Sequence, residues 1–488
     1  MSTVDLQAQP MLIGGEWTGA AAGATFERTD PFTGETATVA AAASRHDAHR
    51  AVEAAQAAFP GWAATAPGER RMLLTGAADL LMDRAAEIVT AMTDEIGGTF
   101  GWAMFNCDLA SRMLREAAAQ TYAAGGEVIP SDVPGSLSFA VRQPAGVVVG
   151  MAPWNAPVIL GVRALAAPLA FGNTVVLKGS EVCPRTHAAV VRALHDAGLP
   201  DGVVNLVLHS AEGAPEVVDA LIAHPAVRRV NFTGSTRVGR IIAMKCAEHL
   251  KRCLLELGGK APMVVLGDAD LDAAAAAASF GAFMNSGQIC MSTERVVVER
   301  AAAAELGDRL ARRAADLVAG DPHDQRTMLG PVVGDDARER ILGLIDDARA
   351  KGAEVLAGGE ADGNVIRPTV LAGVTPDMRI YAEESFGPVV TLTPVDGVDE
   401  AVRVANDSDY GLSAAVFGGD VPAALDVARR IESGICHVNS STVHDEPQMP
   451  FGGVKGSGWG RFGGRAALEE FTELRWLSVQ QSPRHYPI

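Results

Sequence analysis

The chain has 488 residues, 48% hydrophobic and 20% charged, and its 41 Lys+Arg against 59 Asp+Glu leave a formal charge of −18. So much apolar content excludes a disordered chain and a small disulfide- or metal-held domain, and the length predicts two or three domains. The acidic balance argues against a surface for nucleic acid or anionic membrane, because phosphates attract Lys and Arg.

The N-terminal stretch MSTVDLQAQPMLIGGEW lacks a basic segment followed by an apolar run, so no secretory leader is expected. No uninterrupted apolar stretch reaches the length of a membrane span. Cys107, Cys183, Cys246, Cys253, Cys290 and Cys436 are scattered, without CxxC or Cys/His clustering. That spacing predicts no zinc site and a reducing, cytoplasmic compartment in which thiols stay free.

The first 130 residues read mostly as helices: Ser44 can cap 44–59, and 69–90 has apolar residues at helical spacing. SLSFAVRQ then alternates like a strand, and GVVVGM follows a Pro-Ala-Gly turn, which predicts a hairpin across 137–147. Beyond it, strands and helices alternate. GVVVG, TVVLK, VVNLVL and RRVNF are separated by helical segments, two of them ended by Gly172 and Gly198. This pattern implies right-handed crossovers and a parallel sheet, and its near-continuous apolar runs suit strands covered on both faces. A second α/β pattern starts near Pro262 and includes RVVVER, PVVTL and AAVFG. FTELRWLSVQ reads as a final strand.

Several residues carry candidate chemistry. Cys290, in NSGQICMST, has small neighbours that allow close approach to a thiol nucleophile, although an inert buried cysteine fits the same residue. Glu256 ends an apolar strand before two glycines, where an acid serves as a general base or as a loop cap. Asn155, in APWNAP, lies beyond the first parallel strand, where ligands of open α/β sheets bind, and offers an amide to an oxyanion or to a turn. Lys178 and Glu181 follow TVVLK. A carboxylate there can hold the two hydroxyls of an adenosine ribose and oppose a 2′-phosphate, which points to NAD over NADP; a solvated surface pair is the alternative. Gly234 and Ser235 open a helix N-terminus to a pyrophosphate without forming GxGxxG or a P-loop. No G-x-S-x-G, HExxH or GxxxxGK[ST] occurs, and none of the 11 His pairs obviously with Cys290.

Taken together the chain resembles the NAD(P)-dependent aldehyde dehydrogenase superfamily over nearly its whole length. The resemblance is carried, in order, by PWN at 153–155, KGSE at 178–181, FTGSTRVG at 232–239, LELGGKAP at 255–262, GQIC at 287–290, EESFGP at 383–388 and PFGGVKGSGWGR at 450–461. It implies Cys290 as nucleophile, Glu256 as general base, and Asn155 with the Cys290 N–H as oxyanion hole. It implies Trp154 in the cofactor cleft, Lys178 and Glu181 on the adenosine ribose, and Gly234 and Ser235 at the pyrophosphate. Glu384 is implied on the nicotinamide ribose and Phe386 beside the nicotinamide.

The implied fold is α/β. A variant Rossmann dinucleotide-binding domain covers 1–133 and 148–258, and a second α/β catalytic domain covers 259–448. A β-hairpin oligomerisation element at 134–147 and 470–488 implies a homodimer or homotetramer. The implied reaction is oxidation of an aldehyde to the acid through a cysteine thiohemiacetal and thioester, with NAD favoured over NADP and no metal. The C-terminal Gly-rich region and MAPWNAPVILGVRALA are most similar to bacterial salicylaldehyde, vanillin and benzaldehyde dehydrogenases. By that correspondence Arg163, Met284, Ile289 and Met291 border the substrate. Arg163 lies about two helical turns after Asn155, so it can share a face with the site; a structural salt-bridged Arg is the alternative. A CoA-acylating enzyme and a catalytically silent relative with a binding role are the rivals. The intact Glu256 favours water over CoA as the acyl acceptor, and the retention of Cys290, Glu256 and Asn155 together argues against a silent relative. The chain departs from the pattern at GRFGG, where many relatives carry an acid after the Arg.

Overall fold

The structure, a computed structural model, describes residues 8–488, so the reading of the N-terminal stretch as lacking a leader, and the start of the first domain, fall partly outside it. Its largest sheet has eight strands. Five are parallel and lie in the spatial order Val204–Val207, Thr174–Lys178, Val147–Met151, Val227–Thr233, Arg252–Glu256. These runs are Val- and Leu-rich because helices cover both faces, and Val147, Val148, Val149, Val175 and Val176 are fully buried. In chain order the sequence of strands is 3-2-1-4-5, so the winding reverses between Val147–Met151 and Val227–Thr233. Ligands of such sheets bind in the crevice beyond the strand ends at that reversal. The helices Pro157–Ala170 and Pro184–Asp196 each start on a proline, whose missing N–H costs nothing in a first turn.

A second, seven-stranded sheet spans Glu354–Ala357, Thr369–Ala372, Val389–Val395, Thr293–Glu299, Ala261–Val265, Ser413–Phe417 and Ile435–Val438 in spatial order. It is parallel except at its first pair. A third sheet pairs Thr472–Gln480 with Ser136–Pro144, and the latter with Gly126–Ile129.

Three expectations are corrected. The stretch before residue 45 is not helical: Met11–Ile13, Glu16–Thr18, Thr25–Thr29 and Thr36–Ala41 are strands, too short to show a period, with Gly14-Gly15 turning the first pair. The segment 69–90 is divided between Pro67–Asp83 and Ala85–Ile96, which meet at Arg84.

The hairpin across 137–147 does not form. Ser136–Pro144 joins the outer sheet, whereas Val147–Met151 is the central strand of the largest one. Asn173 holds the chain at this parting: its Oδ1 accepts the N–H groups of Ala145 at 2.8 Å and Gly146 at 3.0 Å. Ser44 does cap the first helix, with its N–H donated to Asp47 at 3.0 Å.

Candidate active site

Strand Val147–Met151 delivers Trp154 and Asn155 to the reversal point, and Val227–Thr233 delivers Gly234 and Ser235. Arg252–Glu256 ends on Glu256, and Cys290 sits on the loop leading into Thr293–Glu299. The second sheet contributes the loop holding Glu384 and Phe386. All eight of these residues line one cleft of about 650 Å³, with Arg237, Gly258, Arg340 and Tyr410 among the other walls. The thiol, carboxylate and amide, remote in sequence, therefore face a common space.

The loop before Cys290 is shaped by unusual backbone. Asn285, Ser286 and Gly287 have φ of 51°, 53° and 70°. A Cβ on Gly287 would overlap the carbonyl of Gly387, so only glycine fits there. A Cβ on Gly259 would likewise overlap the carbonyl oxygen of Cys290. Asn155 is fixed at its backbone: its carbonyl accepts from Trp102 Nε1 and Asn285 Nδ2, each at 3.0 Å. Its own Nδ2 donates to the Gln288 carbonyl at 2.9 Å, which leaves a second amide hydrogen.

Glu256 is fully buried, and neither oxygen has a well-formed hydrogen bond. Burial pushes its carboxyl up to about 8, against the pull of the Arg163 charge; the charges of Glu384 and Asp445 add to the rise, and the nearby Cys290 thiol opposes it slightly. Desolvation and the charge of Glu256 hold the Cys290 thiol well above its ordinary range, so the resting sulfur is protonated. Glu384 accepts the Gly259 N–H at 2.9 Å, and burial with the neighbouring Glu294 raises it to about 7. Trp154 and Phe386 meet edge to face at 5.8 Å.

Lys178 and Glu181 stand at the end of the neighbouring strand and do not line this cleft. Burial lowers Lys178 while Glu181 pulls it back up. Arg163 is buried, forms an ion pair with Asp445, and lays its guanidinium 4.0 Å from the Phe451 ring centre. It lines a second, narrow chamber of about 40 Å³ with Met113, Phe171, Met449, Phe451 and Phe462. Met284, Ile289 and Met291 belong to the surrounding apolar cluster and line neither cavity.

Sequence reasoning missed Trp102, Lys260, Asn285, Glu294, Arg340, Asp445 and Phe451. For Glu294 a signal was present: TERVVVE places two adjacent charges in an apolar strand, which needs buried partners. Among the described residues no three His, Cys, Asp or Glu converge as a metal set, and no helix is long and apolar enough to cross a membrane.

The cleft fits a dinucleotide. It lies at the winding reversal, Ser235 opens the 13-residue helix Thr236–Glu248, and Glu384 lies against Gly258 so closely that a Cβ would come within 2.8 Å of its carboxylate. Sheet and cleft thus define an oxidoreductase that uses a nicotinamide dinucleotide. The aldehyde dehydrogenase family model matches residues 17–477, and the chain belongs to that family. It is 59% identical over 479 residues to a vanillin dehydrogenase of Pseudomonas sp. (strain HR199 / DSM 7063), with 98% of this chain and 99% of that one covered. Its fold is similar to a salicylaldehyde dehydrogenase from Pseudomonas putida G7 complexed with salicylaldehyde, at a TM-score of 0.96, 47% identity and 98% and 99% coverage. A betaine aldehyde dehydrogenase of Staphylococcus aureus in complex with NAD+ matches at 0.95 and 31% identity, covering 99% of this chain and 97% of that one.

Proposed function

We propose that this chain oxidises an aromatic aldehyde to its carboxylic acid with NAD, through Cys290, Glu256 and Asn155. The observation that carries the reading is the buried Glu256 carboxylate, without a firm partner, sharing one cleft with the thiol and the amide. The Cys290 sulfur adds to the carbonyl carbon as its proton passes to Glu256 or water. The free hydrogen of the Asn155 amide and the Cys290 N–H stabilise the oxyanion. A nicotinamide dinucleotide held in the cleft would supply the hydride acceptor that takes the Cys290 adduct to a thioester. Ionised Glu256 then removes a proton from water, which attacks the thioester and releases the acid. Trp154, Gly234, Ser235, Glu384 and Phe386 bind the cofactor in the cleft. Lys178 and Glu181 take its adenosine ribose, where the Glu181 carboxylate favours NAD over NADP.

The aromatic substrate follows from the named relatives and from the Arg163 chamber. Its walls carry Phe171, Phe451 and Phe462 together with Met113 and Met449, whose flexible side chains can yield to a ring. Arg163 faces the ring or a ring oxygen, and Met284, Ile289 and Met291, in the same apolar cluster as Cys290, border the substrate. The large sheets form the dinucleotide and catalytic units, and the outer three-stranded sheet the oligomerisation unit. Exposed Val128, Leu474 and Trp476 on that outer sheet suit a homodimer or homotetramer. All six cysteines are free thiols, which suits a cytoplasmic setting.

The test is a panel of benzaldehyde, salicylaldehyde, vanillin and aliphatic aldehydes, followed as NADH formation with NAD or NADP, with and without CoA. Preference for aromatic aldehydes with NAD, and free acid as product, is expected; an acyl-CoA product or no turnover refutes the reading. For Arg163, an unchanged ratio of kcat/KM between hydroxylated and plain benzaldehydes in Arg163→Ala removes it from the substrate site.

A further inference from the structure

We propose that Glu294 is a positioning residue that holds the 384–386 backbone as a preformed seat for the nicotinamide half of the dinucleotide, a role that rests on the cofactor reading above. Glu294 is the second residue of Thr293–Glu299, four positions after Cys290, and its side chain is 3% exposed. Both of its oxygens accept the Ser385 N–H at 2.9 Å, and one also accepts the Phe386 N–H at 3.2 Å. The remaining partner is the Lys260 ammonium, itself fully buried.

The same loop is gripped from two other directions. Arg340, on helix Asp335–Ala350, donates to the carbonyls of Glu384 at 3.1 Å and Ser385 at 2.7 Å. The Gly259 N–H, one residue before Lys260, donates to the Glu384 side chain at 2.9 Å. N–H groups, carbonyls and carboxylate of this loop are thus each assigned a separate partner. Phe386 is kept at φ 44°, a left-handed backbone that a bulky residue adopts only when its surroundings impose it.

A buried ion pair adds little net stability, because desolvation offsets the attraction. What Glu294 and Lys260 do add is direction: they link the strand after Cys290 and the turn after Glu256 to the loop that bears Glu384 and Phe386. A seat fixed before binding spares the cofactor the entropy of ordering it. It also fixes the loop that would carry the nicotinamide relative to Cys290, and a misplacement of the reacting partners there costs rate steeply.

Two variants test this: Glu294→Gln, and Glu294→Leu with Lys260→Met, which leaves no orphan charge if the first does not fold. Each is measured for NAD affinity by calorimetry without aldehyde, for NAD-linked oxidation, and for hydrolysis of p-nitrophenyl acetate, which needs the Cys290 site but no dinucleotide. NAD affinity is expected to weaken about tenfold. NAD-linked kcat/KM is expected to fall about 10²-fold, while ester hydrolysis stays within about twofold. Unchanged NAD affinity and oxidation in a folded variant overturn the role, as does ester hydrolysis falling in parallel, which marks a general scaffold residue. Failure of the parent enzyme to bind NAD or oxidise any aldehyde refutes the underlying cofactor reading, and the proposal with it.

Discussion

Raising the pH from 6 to 9 is predicted to accelerate thioester hydrolysis steeply, with a midpoint set by Glu256. Burial lifts that carboxyl from its ordinary 4.5 to about 8. It is then about 1% ionised at pH 6 and about 90% at pH 9, a ~90-fold gain in active base, near tenfold per unit until it levels off. The assay is single-turnover hydrolysis of an acyl-enzyme loaded from an activated ester, followed across that range. In Glu256→Gln the slow residual rate should lack this midpoint. The same shift carries a stability signature. The folded state keeps a proton that the unfolded chain loses near pH 4.5, so Glu256 contributes stability present below pH 4.5 and lost as pH rises to about 8. The wild type should therefore lose about 2–3 kcal/mol relative to Glu256→Gln between pH 6 and 9. A flat rate profile, or a stability difference constant with pH, would refute the buried-base argument.

Removing the side-chain donor in Asn155→Ala should lower kcat by roughly 10²–10³ with a much smaller change in KM, checked by steady-state kinetics. Gly287→Ala should lose stability by at least about 1–2 kcal/mol, since the left-handed backbone alone costs that much before the overlap with Gly387. Chemical denaturation and a parallel loss of turnover would show it. Glu181→Ser should raise the NADP:NAD ratio of kcat/KM about tenfold by removing like-charge repulsion from a 2′-phosphate, and an unchanged ratio would place the adenosine ribose elsewhere.

The parallel core was legible because its strands are uniform apolar runs separated by helical segments, two of them ended by Gly172 and Gly198. The short strands before residue 45 were not, since three to six residues carry no measurable period. The mistaken hairpin has a definite cause. Pairing of 136–144 with 472–480 is a contact across more than 300 residues, and Asn173, which parts the chain at Ala145, supplies a side-chain bond that no local pattern announces. At the site, Cys290, Glu256 and Asn155 could be nominated from their short motifs. Their supports could not: Asn285, Arg340 and Trp102 act through backbone carbonyls, and which carbonyl a donor reaches is decided only by the fold. Glu294 is the exception, legible as a charge too costly for its strand.

The crossings at Gly259 and Gly287 have a wider consequence. Main chain passes against main chain there, with no side chain in between to enlarge, shrink or recharge. Point mutation therefore has no graded setting at these contacts: a residue either leaves them intact or breaks the reacting centre. Adaptation to a differently shaped aldehyde then has to come from side chains away from these crossings, so the chemical apparatus and the choice of molecule it works on can diverge separately.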